Sequence, residues 1–199
     1  MEPLPRSALP RDTVTLARFL LGKVLVRELD GAILTGRIVE TEAYLADDPA
    51  CHAFRGMTPR NRSLFLDVGH AYVYLCYGTS YMLNVSSEER GIGSGVLLRA
   101  LEPLSGIPHM RSRRPGGRPL DLVRGPGRLT NALCVNFAQD GHDLVSGGPL
   151  WLGSDGSAIE TIGVSTRIGL NLGADAPLRF FVNGNGYVSG PRRRNAPSV

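Results

Sequence analysis

The segment "VLVRELDGAILTGRIVETEAY", residues 24–44, constrains this chain more than any other. Two β-rich runs flank Asp30-Gly31. Asp-Gly suits a two-residue hairpin turn, because both central residues there need positive φ. The second run ends in "VETEAY". Side chains alternate along a strand, so Ile38, Glu40, Glu42 and Tyr44 are expected on one face and Val39, Thr41 and Ala43 on the other. Carboxylates two residues apart lie roughly 7 Å apart. That spacing fits a solvated face, an acid/base pair of the inverting-glycosidase kind, or one catalytic acid beside a structural one.

The rest of the chain alternates short elements with turns. "RDTVTLARFLLGK" predicts a helix capped by Asp12 and stopped at Gly22. "TPRNRSLF" predicts a short helix with Thr58 as cap and Pro59 at its first position. "HAYVYLCYG" and "SYMLNVSS" predict a second hairpin turning at Gly78 and Thr79, and "SGVLLRALEP" a further strand. After Pro103 come a short helix, a basic loop and a helix from about Gly127. The loop region, residues 105–136, holds six arginines against one acid, Asp121. "LWLGS", "IETIGVSTRIGL" and "LRFFVNGNGYVS" add short strands. No internal repeat is visible. The expectation is a single α+β domain over residues 1–199, built on a curved, mostly antiparallel sheet with a few helices. Residues 1–10 and 191–199, the latter with Arg192–Arg194, are expected to be loose ends.

Composition narrows the function. At 42% hydrophobic and 20% charged the chain can bury a core. No apolar run is long enough to cross a bilayer. "MEPLPRSALPRD" lacks the plan of a secretory signal, so a cytoplasmic setting is expected. Cys51, Cys76 and Cys134 have no metal-site spacing, so no metal is expected. Cys76 and Cys134 read as core thiols. Cys51 and His52 are adjacent and point apart on a strand, which argues against a nucleophile pair. The net charge is +4, and Lys23 is the only lysine among 22 Lys and Arg residues. Arginine forks onto phosphate and stacks on bases, but a GC-rich genome produces the same bias. In "YVYLCYG", Tyr72 and Tyr74 share a face and Tyr77 sits at the hairpin tip. These residues fit β packing or a platform and wedge for bases.

"VETEAY", a following His, "TPRNR", "YVYLCYG", "LNVSS" and "VLLRALEP", in that order, resemble the alkyladenine (3-methyladenine) DNA glycosylase family. Weaker matches continue through "GPGRLTNAL", "TRIGL" and "PLRFFV". The resemblance implies a fold like the C-terminal domain of methionyl-tRNA formyltransferase and no metal or organic cofactor. It implies hydrolysis of the N-glycosidic bond of damaged purines in duplex DNA: alkylated adenine and guanine, hypoxanthine and etheno-adenine. By resemblance the general base falls on Glu42, and the pocket for a flipped base on Tyr44, His52 and Tyr74. Tyr77 falls on the residue that fills the gap in the duplex. Asn84 falls on the position that crowds guanine's exocyclic amine. Arg99 and the Leu170 carbonyl fall on the partners of the attacking water. Arg60, Arg62 and Arg128 are candidate contacts to the DNA backbone.

Some features depart from the family's animal members. The loop from Tyr44 to His52 is slightly shorter, Thr79 is small beside the wedge, and Arg128 stands where lysine is expected. The long N-terminal tail is absent, so a bacterial, nucleoid-associated protein is expected, and a monomer is expected of a protein that scans DNA. Lys23 lies away from every motif and arginine stays protonated. A Schiff-base, strand-cutting mechanism is therefore not expected, and borohydride trapping of a covalent adduct would contradict that. Two other readings predict different behaviour. An O-glycosidase would need both Glu40 and Glu42, and a non-catalytic module binding damaged DNA would release no base.

Overall fold

The computed structural model describes residues 1–190, so the 191–199 end and Arg192–Arg194 lie outside the described residues. Eight strands form one antiparallel sheet. They are β1 Val24–Leu29, β2 Ala32–Tyr44, β3 Ala71–Cys76, β4 Ser80–Ser86, β5 Gly95–Ser105, β6 Leu150–Gly153, β7 Ile162–Ser165 and β8 Arg179–Val182. The spatial order is β3-β4-β5-β2-β1-β6. β2 is long enough to take two partners on one side: β1 pairs with its first half and β8 with Glu40 to Glu42. β7 extends from β8. Three short helices, α1 Thr13–Phe19, α2 Ile107–Ser112 and α3 Pro126–Ala132, complete an α+β domain.

Local chemistry explains most boundaries. Asp12 Oδ1 accepts the Thr15 N–H at 2.7 Å and caps α1. Asp30 and Gly31 both take positive φ, 52° and 77°, and close the first hairpin. α2 starts at Gly106, where an added Cβ would lie 2.8 Å from Leu34 Cα, so the helix approaches β2 more closely than any side chain allows.

Five details differ from the sequence expectation. The second hairpin turns at Tyr77 and Gly78, both at positive φ, and Thr79 N–H closes onto Cys76 O at 3.1 Å. "TPRNRSLF" forms a turn and then a 3-10 helix, Arg62–Phe65, because the Asn61 amide takes the Thr58 N–H at 2.6 Å and holds the chain back from helix. The first ten residues are tied down: Leu4 N–H donates to Leu152 O at 2.8 Å, and Leu9 is buried. Cys76 and Cys134 are half-buried, at a strand end and a helix exit, while Cys51 is the buried thiol.

The fifth difference matters for function. The β2–β5 ladder is irregular between Ile38 and Thr41, where Glu40 pairs with Ala100 and Arg99 is left unpaired. Strand alternation therefore breaks. Ile38 and Ala43 both enter the main core, with Leu101 and Val96 opposite them. Val39 and Ala100 instead join a small second cluster with Phe181 and Val188. Adjacent bulges turn the side chains over. Regular alternation would have put Glu42 on the same face as Ile38, in the apolar core.

Candidate active site

The bulge delivers both glutamates into one buried polar centre. Glu40 and Glu42 are each 0% exposed. Glu42 Oε1 accepts the Ile168 N–H at 2.8 Å. Its Oε2 accepts the Tyr44 hydroxyl at 2.9 Å and Arg99 Nη1 at 3.2 Å. Glu40 is more fully committed. Its Oε1 accepts Arg99 Nε, Arg179 Nε and the Ser189 hydroxyl at 2.9, 2.7 and 2.9 Å, and its Oε2 accepts the Ser189 N–H at 2.6 Å. Burial alone would push the Glu40 carboxyl up, but Arg99 and Arg179 outweigh it and hold the carboxyl below its ordinary range. A depressed folded value means that this stabilisation is present above the ordinary carboxylate pKa and is lost as pH falls through the folded one.

Tyr44, His52, Tyr74, Asn84 and Leu170 line one small pocket of about 80 Å³, together with Cys51, Leu64 and Tyr72. The pocket shares Tyr44, His52, Tyr74 and Leu170 with an outer cleft of about 500 Å³, which Arg60, Tyr77 and Arg99 also line. The Tyr72 and Tyr74 rings stack at 5.4 Å, and His52 meets Tyr74 edge-on at 4.5 Å. His52 Nδ1 lies 2.9 Å from the Tyr72 hydroxyl. His52 is exposed as a residue, and partial desolvation together with the Arg60 charge lowers its pKa. Burial pushes the Tyr74 hydroxyl up to about 12, and burial together with Glu42 pushes Tyr44 higher still, so both remain donors. Asn84 Nδ2 donates to Tyr72 O at 3.1 Å, which fixes the amide at the pocket wall. Glu42 lies beneath the wall, bonded to Tyr44, Arg99 and Ile168, which face the cleft.

Tyr77 stands at the cleft mouth, 92% exposed. The three candidate phosphate contacts separate. Arg60 lines the cleft, while Arg62 lies in another depression with Arg90 and Asp140. Arg128 lies in a groove of about 760 Å³ with Arg113, Arg114 and Arg124, which continues from the cleft past Met82 and Pro126. Asp121 holds Arg128 at 2.9 Å and Arg118 at 2.7 Å.

Sequence reasoning passed over the residues that hold this arrangement. Arg179 sits inside the apolar run "PLRFFV", where an isolated charge is the available signal. Arg167 is 2% exposed, stacks on the Tyr44 ring at 4.6 Å, pairs with Asp48 and donates to Ala43 O at 2.9 Å. Asn61 fastens the His52 loop: its Nδ2 donates to His52 O at 2.8 Å and to Gly56 O at 3.0 Å. Asn61→Ala is expected to cost about 1–3 kcal/mol, the penalty for leaving such groups unpaired, and thermal denaturation measures it.

Among the described residues, no group of three or more His, Cys, Asp and Glu side chains is placed to hold a metal ion. No helix among them is long and apolar enough to cross a membrane.

A buried carboxylate hydrogen-bonded to the wall of an aromatic-lined pocket is a candidate general-base arrangement. A model of the methylpurine-DNA glycosylase family matches residues 7–186. A relative from Mesorhizobium japonicum is 60% identical over 190 residues, covering 96% of this chain and 91% of its own. One from Paraburkholderia phytofirmans is 54% identical, covering 96% and 90%, and one from Carboxydothermus hydrogenoformans is 46% identical, covering 94% and 98%. All three carry 3-methyladenine DNA glycosylase as a provisional name. The chain belongs to the methylpurine-DNA glycosylase family and is a hydrolase of N-glycosyl bonds in DNA.

Proposed function

We propose that this enzyme extrudes a damaged purine from duplex DNA and hydrolyses its N-glycosidic bond with water activated by Glu42, leaving an abasic site. The carrying observation is a buried carboxylate, Glu42, hydrogen-bonded to Tyr44, which lines the aromatic pocket. A carboxylate offers about four lone-pair sites, and three donors engage Glu42, two on Oε2 and one on Oε1. Oε1 therefore keeps a lone pair for water, with Arg99 and the Leu170 carbonyl as the water's further partners. Glu40 is not the acid of a pair, since its charge is held by two arginines.

Tyr44, Tyr74 and His52 grip the base. Purines alkylated on a ring nitrogen are cationic and favour aromatic faces, and they depart without being protonated. Asn84 crowds the exocyclic amine and so disfavours normal guanine, which lacks the charge that speeds departure of an alkylated base. The substrates are alkylated adenine and guanine, hypoxanthine and etheno-adenine. Arg60, Arg62 and Arg128 hold the backbone, and the enzyme acts as a cytoplasmic monomer. The test is release of free base from duplexes carrying hypoxanthine or N-methylated adenine. No release from either would overturn the reading.

Tyr77 fills the space left by the base. A tyrosine at positive φ carries a strain of about 1–2 kcal/mol that glycine does not, partly offset by glycine's freer unfolded chain. Tyr77→Gly is therefore expected to hold thermal stability or raise it by up to about 1 kcal/mol while weakening capture of lesion DNA. Opposite signs in melting and in single-turnover binding would separate the wedge role from a folding role.

A further inference from the structure

We infer that Glu40 and Arg179 are positioning residues that set the basicity of Glu42 through Arg99 without touching the substrate. The inference rests on Glu42 being the base. Four charges, Glu40, Glu42, Arg99 and Arg179, form a neutral quartet whose side chains are 0%, 0%, 8% and 0% exposed. One planar guanidinium, that of Arg99, serves both carboxylates. Its Nε reaches Glu40 at 2.9 Å and its Nη1 reaches Glu42 at the longer 3.2 Å. Its Nη2 lies 3.4 Å from the Ser189 hydroxyl. Among the described residues, Arg179 donates to Glu40 at 2.7 Å, the Ser165 hydroxyl at 2.8 Å and the Ser189 carbonyl at 2.9 Å.

This sharing answers a chemical requirement. A general base must be ionised yet still take a proton. An unshared arginine against Glu42 would keep it ionised but make it a poor acceptor. Glu40 claims part of the Arg99 charge, and Arg179 balances Glu40, so the pair presents no excess positive charge to Glu42. The charged and titratable groups around Glu42 are Tyr44 and Glu40 on its own strand, Arg99 on β5, Arg179 on β8, Tyr74 on β3 and Arg167 beyond β7. Of these, Glu40 and Arg179 are the two whose charges act on Glu42 through the shared guanidinium.

The experiment is a pH profile of single-turnover base release from duplex DNA carrying N7-methylguanine. The permanent charge of that lesion removes any proton requirement from the leaving group. Glu40→Gln removes a negative charge and is expected to move the acidic limb down by roughly 1 pH unit and to lower the maximal rate. Arg179→Gln removes a positive charge and is expected to move the limb up. The double variant restores neutrality and is expected to return the limb to near the parent position. The His52 titration is common to all four proteins. A merely structural role would lower rate or stability and leave the limb in place. Unmoved limbs, or single variants that move the same way, overturn the inference. If one single variant does not fold, the double variant against the other single variant still gives the sign. Loss of this result with parent release intact and Glu42→Gln inactive sinks the inference alone. Failure of parent release sinks the proposed function.

Discussion

Glu42→Gln is expected to lower base release by about 10²–10⁴-fold, the usual contribution of a positioned general base, while the protein remains folded. The amide is nearly isosteric and keeps one oxygen. Side-chain flip lets that oxygen accept either the Ile168 N–H or the Tyr44 and Arg99 donors, but not both sets. The variant also leaves the Arg99 charge less balanced, a cost shared with Glu40 at 2.9 Å. Binding of lesion DNA should persist, because the pocket walls are other residues. Single-turnover release together with a binding titration gives the result. A variant that releases base at the parent rate would remove Glu42 from the chemistry.

Arg167→Met should produce the largest stability loss, about 3–5 kcal/mol, the range for breaking a buried ion pair from one side. For a chain of this size that corresponds to roughly 6–20 °C in melting temperature. Arg167 and its partner Asp48 have side-chain exposures of 0% and 7%, so removing one leaves a buried charge. Asp48 also accepts the Ala50 N–H at 2.9 Å and so shapes the turn leading to His52. The melt should therefore be accompanied by weaker capture of lesion DNA. Asp48→Leu added to Arg167→Met is expected to recover much of the stability, because an apolar pair often replaces a buried ion pair at little cost. A melting temperature unchanged by Arg167→Met would show that the pair contributes nothing.

The parts of the fold written in local chemistry were legible. Asp12 as a cap and Asp30-Gly31 as a turn depend on neighbours in sequence, and both stand as expected. The strand-sized runs paired as an antiparallel sheet with few helices. The bulge at Val39–Glu40 was not legible, because alternating hydropathy assumes an unbroken pleat and "IVETE" contains no glycine to mark the slip. At the candidate site, Tyr72 and Tyr74 were expected on one face, and their rings do stack. Arg179, Arg167 and Ser189 escaped notice for a different reason. Their partners are Glu40 and Asp48, more than a hundred residues away, and no spacing rule reaches that far. Asn61 escaped because its amide bonds to backbone, which leaves no pattern among side chains.

The quartet also has a place in time. Glu40 lies 59 residues from Arg99, 139 from Arg179 and 149 from Ser189 along the chain. At translation rates of about 5–20 residues per second, roughly 7–30 seconds separate the synthesis of Glu40 from that of Ser189. Through that interval the middle of β2 carries two carboxylates whose full set of donors does not yet exist, and burying them early would be costly. The strand at the centre of the finished sheet is thus among the first made, and its carboxylates gain their full set of donors only after β8 and Ser189 are synthesised.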